Sequence, residues 1–159
     1  MAARQASPTR QCRSTSIIVC FDSRWEKYLK TKVISVVFRK QAPRGFRPDW
    51  LYAYAAKPIS AVIAKMSVHS LERLPIEEAV DLAEDGLLTE AELREYAAPP
   101  FAATWSELFV YRVGHIQVAV TPVTLAAMRD AWNYWPSPSF TPLSDEAKEM
   151  IDERANFAD

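Results

Sequence analysis

Glycine is nearly missing from this chain, with three in 159 residues. A phosphate-cradling loop needs glycines clustered at a strand–helix junction, and the scattered Gly45, Gly86 and Gly114 do not supply one. Cysteine is as scarce. Cys12 and Cys20 form neither a disulfide framework nor a metal-ligand spacing, which points to a reducing, cytoplasmic setting. His69 and His115 are the only histidines, too few to define a metal site by themselves. There is no nucleophile elbow of the α/β-hydrolase kind. No apolar run approaches the roughly 20 residues needed to cross a bilayer, and no signal peptide is visible. The sequence therefore calls for no cofactor, no metal and no membrane partner.

What is present is a globular composition: 49% hydrophobic, 25% charged and 11% aromatic. That supports a full core and excludes a disordered chain. The net charge of −1 hides a strong asymmetry. Residues 1–57 carry 12 Lys and Arg against 3 Asp and Glu, whereas residues 58–159 carry 7 against 17. A basic pole attracts phosphate backbones. The alternative is that the two halves neutralise each other in the fold. Residues 1–14, with Arg4, Arg10 and Arg13 and no acid, read as a disordered basic tail, and 15–159 as a single domain.

Local patterns give the order of elements. Ser16 to Phe21 reads as a buried strand, and Ser23 with Glu26 as a capping box opening a helix. Val33 to Phe38 is β-branched and strand-like, running into Arg39-Lys40 and a Pro/Gly loop. Trp50 to Ala55 alternates aromatics with smaller residues. Ile59 to Val68 is the next strand. Pro75 starts an acidic helical stretch that Gly86 ends, and Thr89 with Glu92 caps a helix through Tyr96. Glu107 to Val120 is one long strand or two bent at Gly114. Residues 122–131 are helix-prone, and Ser144 caps a terminal helix. Strands with clustered rather than alternating helices suit an α+β fold whose mixed or antiparallel sheet curls towards a small barrel with flanking helices.

That order, with four local strings, resembles the ASCH family of the PUA-like superfamily. The strings are residues 16–39, LYAYAAKPISAVIAKMSV (51–68), LLTEAELREYA (87–97), and VGHIQVAVTPVTLAAM with WPSPSFTPLSDEAKEMI (113–128 and 135–151). The resemblance implies a small β-barrel associated with RNA binding. Some members are amidohydrolases acting on an acetylated cytidine, or ribonucleases, and their chemistry rests on a lysine–threonine–glutamate constellation. Here the matching stretch is KTKVISVVFRK: Val37 stands at the glutamate, Lys32 is displaced, and no glycine is present. Ala56 and Lys57 replace the small hydroxyl residues before the turn proline.

The expected function is thus non-catalytic nucleic-acid binding, RNA favoured, with a base or modified nucleotide read in a basic cleft. Arg39, Lys40, Arg44 and Arg47 are the phosphate-contact candidates, since guanidinium forks suit phosphate oxygens, and Lys57 extends them if the two loops share one mouth. Trp50, Tyr52 and Tyr54 share one strand face and are expected to be buried for the most part, with Tyr54 at the strand end lining the cleft. By resemblance, Trp135, Ser137 and Ser139 lie beside the same cleft; the alternative is a loop stapled to the core by its tryptophans. An enzyme alternative, hydrolase or ribonuclease, would use Lys32 or Lys57 as base with Ser139 or Tyr54 in support. A third reading is a protein-interaction module using the acidic helices around Glu77–Glu95.

Overall fold

The computed structural model describes residues 15–159; the expected basic tail and Cys12 lie outside the described residues. Seven strands form one sheet in the order β2-β5-β4-β3-β1-β6, with β7 added against β5. They are β1 (Ile17–Phe21), β2 (Val36–Arg39), β3 (Trp50–Ala55), β4 (Ala61–Pro75), β5 (Glu107–Thr124), β6 (Phe140–Pro142) and β7 (Phe157–Ala158). The β1–β3 pair is parallel and every other pair is antiparallel, so the sheet is mixed. Three register shifts between β4 and β5, and one between β3 and β4, add local twist and curl the sheet into a half-barrel.

Five helices flank it: α1 (Glu26–Lys30), α2 (Ile76–Ala79), α3 (Glu90–Ala97), α4 (Leu125–Trp132) and α5 (Asp145–Ala155). The architecture is the α+β curled sheet expected from the element order. Helix starts follow local chemistry. Thr89 and Glu92 form both halves of a capping box on α3, and the Ser144 and Thr124 hydroxyls cap α5 and α4. At the first helix the cap is Asp22 rather than Ser23, because a 3-10 turn over Ser23–Trp25 precedes α1 and takes the Asp22 carboxylate on the Arg24 N–H.

Alternation along the strands divides the apolar residues between the two faces. Ile17, Val19 and Phe21 of β1, with Leu51, Ala53 and Ala55 of β3, pack inside the curl together with Ile34, Val37 and Tyr111. Ile18 of β1 and Tyr52 and Tyr54 of β3 face outward under Met128, Tyr134 and Ile151. A third cluster joins Val36, Phe38, Leu108 and Val110 to Ala83, Leu93 and Ala97. The aromatic face of β3 is therefore not the barrel interior; the small-residue face is, since a tight curl leaves less room on its concave side.

Several boundaries differ from the sequence pattern. β4 runs to Pro75 rather than Val68, because it pairs with β5 across its whole length. β5 is one strand through Gly114, with the irregularity taken up by bulges and by His115 at φ 46°. Two short strands, β6 in the Pro/Ser-rich segment and β7 at the end, carry too few residues to show a period.

Candidate nucleic-acid interface

A cleft of about 480 Å³ opens where the end of β2 meets β1, the 3-10 turn and α3. That volume lies within the ~300–1,000 Å³ common for small-ligand pockets. Phe21, Trp25, Phe38 and Tyr96 supply aromatic walls, and Ile34 and Val37 an aliphatic one. Gly86 lets the wall close: a Cβ there would fall 2.7 Å from the Phe38 ring.

Arg39 is the cation of this cleft. It follows Val37 by two residues on β2, so its side chain points to the concave face. It is part-buried and donates to the Phe38 and Cys20 carbonyls, each at 2.8 Å. Its guanidinium lies 4.6 Å over the Phe21 ring. Burial pulls its pKa down from the ordinary value, with Tyr96, Tyr111 and Cys20 acting the other way. Arg39 nonetheless stays charged, since a guanidinium does not deprotonate in proteins. Among the described residues it has no ion pair with any carboxylate. Tyr111, fully buried nearby, keeps a hydroxyl with no hydrogen-bond partner among the described residues, and burial pushes its pKa up to about 12.

Helix α3 brings Tyr96 to the cleft. Leu93 and Ala97 are its buried anchors, and Tyr96, three residues after Leu93, falls beside them. Burial raises the Tyr96 pKa, an effect opposed by Arg39 and by a hydrogen bond from the Lys40 backbone. The rim carries Arg24 together with Asp22, Glu92 and Glu95. Asp22 and Glu92 are occupied by helix caps, and Glu92 also sits 3.8 Å from Arg24. The cleft is therefore of mixed charge, not the basic one expected. The cause is that α3, from the acidic half of the chain, packs over the basic end of β2.

The four basic candidates separate. Arg39 floors the cleft. Lys40, 4.6 Å over the Tyr96 ring, and the exposed Arg44 line a neighbouring groove of about 900 Å³. Arg47 points away and donates to the His69 carbonyl at 2.7 Å. Lys57, in the exposed turn before cis-Pro58, lines neither cavity. Tyr54 is corrected by the structure: it is buried under Tyr134, with ring centroids 5.8 Å apart, on the convex side. Trp135 is exposed, its indole N–H bonded to Asn133 and the Arg129 guanidinium stacked 3.6 Å from its ring centre. Ser137 and Ser139 accept backbone N–H bonds within their own turn, whose Pro138 reaches the cleft.

The residues expected to do acid–base work do not converge. Lys32 sits exposed in a turn at φ 60°, and neither it, Lys57 nor Ser139 lines the cleft. At the position of the missing glutamate, Val37 presents an apolar wall. Among the described residues no group of three or more His, Cys, Asp or Glu is placed to hold a metal ion, and no helix is long and apolar enough to cross a membrane. Sequence reasoning missed Tyr96 and Phe21 as cleft residues; the Leu93–Tyr96–Ala97 spacing was the available signal for the first.

A curled mixed sheet with a cleft at one end, flanked by five helices, is the class of fold these observations define. The chain has the ASCH-type fold. It is similar to the crystal structure of ASCH from Zymomonas mobilis, with a TM-score of 0.77 and 16% identity, covering 87% of this chain and 94% of that one. A variant of that protein with a serine replaced by alanine superposes equally well, at a TM-score of 0.77 and 15% identity over 91% and 97% of the two chains. The N-terminal domain of McrB from Staphylothermus marinus is similar at a TM-score of 0.61 and 10% identity, over 89% and 94%. No family model and no curated protein matches the sequence.

Proposed function

We propose that this chain is a nucleic-acid-binding domain, for single-stranded RNA in preference to DNA and acting in the cytoplasm, that holds one unpaired base or modified nucleotide in the Arg39 cleft. The observation that carries this reading is Arg39 itself: a part-buried cation facing an aromatic-walled cleft, with no carboxylate in ion-pair contact with it among the described residues. Keeping a desolvated charge unmatched is costly unless a ligand completes it. A base offers ring carbonyl oxygens to the guanidinium, a flat face to Tyr96, Phe38 or Trp25, and amino protons to the rim carboxylates. The mixed charge of the cleft suits such a donor–acceptor edge better than a bare phosphate. The ASCH-type fold supports the same reading.

The test is a titration with a single-stranded RNA oligonucleotide at two salt concentrations, followed by mobility shift and by tryptophan fluorescence. Binding at low salt that weakens as salt rises, with Trp25 emission quenched, is expected. No binding to RNA or single-stranded DNA at low salt would refute it.

A further inference from the structure

The groove beside the cleft lies outside the reading above. It is lined by Lys40, Arg44, Arg73, Trp105, Phe109 and Phe140. Two register pairs tie it to the cleft. Arg39 on β2 stands opposite Phe109 on β5, and Phe109 stands opposite Arg73 on β4. Directly opposed residues share a sheet face, so Arg39, Phe109 and Arg73 form one cross-strand row. Strands two apart are separated by roughly 10 Å, a span covered by one or two nucleotides of an extended strand. Arg44 has no charged partner among the described residues, and Arg73 has only an exposed pairing with Glu107 at 3.4 Å. Half-buried Trp105, Phe109 and Phe140 line the same groove, and Phe109 stands between Arg39 and Arg73 in the row. Cations interleaved with aromatic rings are the arrangement that holds a single strand by its phosphates and base faces together.

We infer that this groove is a second nucleotide subsite, in which Lys40, Arg44 and Arg73 hold phosphates of the strand whose neighbouring base occupies the Arg39 cleft. The inference rests on the cleft reading and adds that the natural ligand is a strand of at least two nucleotides, not a free nucleoside. Charge complementarity selects the occupant: the groove presents three cations against the single carboxylate of Glu107.

Full-length protein is titrated with a free nucleoside, a single-stranded RNA hexamer and polyglutamate, alongside the variants Arg44→Ala, Arg73→Ala and Arg39→Gln. The hexamer should bind at least about tenfold more tightly than the nucleoside, with a slope of about −2 for log affinity against log salt, as three phosphate contacts on a single strand give. Arg44→Ala and Arg73→Ala, both at exposed positions, should each make the slope shallower by about 0.7 and leave nucleoside binding unchanged. If Arg39→Gln abolishes hexamer binding while both groove variants are silent, the second subsite is overturned and the cleft reading stands. If Arg39→Gln is silent as well, both fall. If polyglutamate displaces the hexamer at equal charge concentration, the groove is an acidic-peptide site and the inference is overturned.

Discussion

The two faces of the sheet each hold a part-buried cation, and the two are treated in opposite ways. On the convex face Lys65 is enclosed by the rings of Trp50, Tyr52 and Phe157, 4.6 to 5.6 Å away. Asp152 of α5 meets its ammonium at 3.2 Å and also accepts from the Tyr52 hydroxyl and from Lys148. Both ammonium groups there reach a carboxylate, the shared one of Asp152, and the network fastens α5 to β3 and β4. On the concave face Arg39 lies against an aromatic ring too, but its partners among the described residues are backbone carbonyls and the Tyr96 side chain, with no acid. A matched cation serves the fold, whereas an unmatched one beside an open cleft is available to a ligand.

Breaking the matched side should give the largest loss of stability. Asp152→Ala leaves Lys65, Lys148 and the Tyr52 hydroxyl without their acceptor. Fully buried pairs lose about 3–5 kcal/mol when one partner goes, and solvent access at this site reduces that to about 2 kcal/mol. The melting temperature, followed by circular dichroism, should fall by about 6 °C. Arg39→Met should do the reverse: RNA affinity drops more than about tenfold while stability stays within about 1 kcal/mol of the parent, because an unmatched charge gives way to an apolar chain of similar length. A loss of stability at Arg39 equal to that at Asp152 would erase the distinction.

The comparison also has a pH dependence. Burial alone would raise the Asp152 pKa, but the Tyr52 hydroxyl, Lys148 and Lys65 outweigh it and hold the carboxyl below its ordinary 3.8. The unfolded chain then binds the proton first, so the stabilisation is complete above the ordinary value and is lost as pH falls through the lowered one. Urea midpoints from about pH 6 down to about pH 3 should fall less steeply for Asp152→Asn than for the parent. The smallest effect is expected at Thr89→Ala, which removes the cap of the helix carrying Tyr96. A loss of about 1 kcal/mol should appear as a shift of about 3 °C, with a modest weakening of RNA binding.

Much of the fold was legible because it is local. The Thr89–Glu92 capping box, the Ser144 cap, the β-branched run into Arg39 and the alternation in WLYAYA are each written within a few residues, and all appear in the structure. The site was less legible. Arg39 and Lys40 were singled out as a cluster with Arg44 and Arg47, yet backbone hydrogen bonding turns Arg47 to the His69 carbonyl and a strand end turns Arg39 inward. Tyr54 was expected at the cleft, but period two shows only that the faces of β3 differ, not which one lies inside the curl. Both faces of that strand are apolar, so the pattern could not choose.

Chain order and short-range chemistry determined where helices begin, which residues share a strand face, and that one end of the protein is rich in guanidinium groups. Packing between distant segments decided the rest: that α3 and its acids cover the cleft, that Arg39 lies 19 residues away from the Cys20 carbonyl it bonds, and that Asp152 reaches Tyr52 across 100 positions. Such contacts depend on the bulges that curl the sheet, and a bulge arises from the register of two paired strands rather than from either strand read alone.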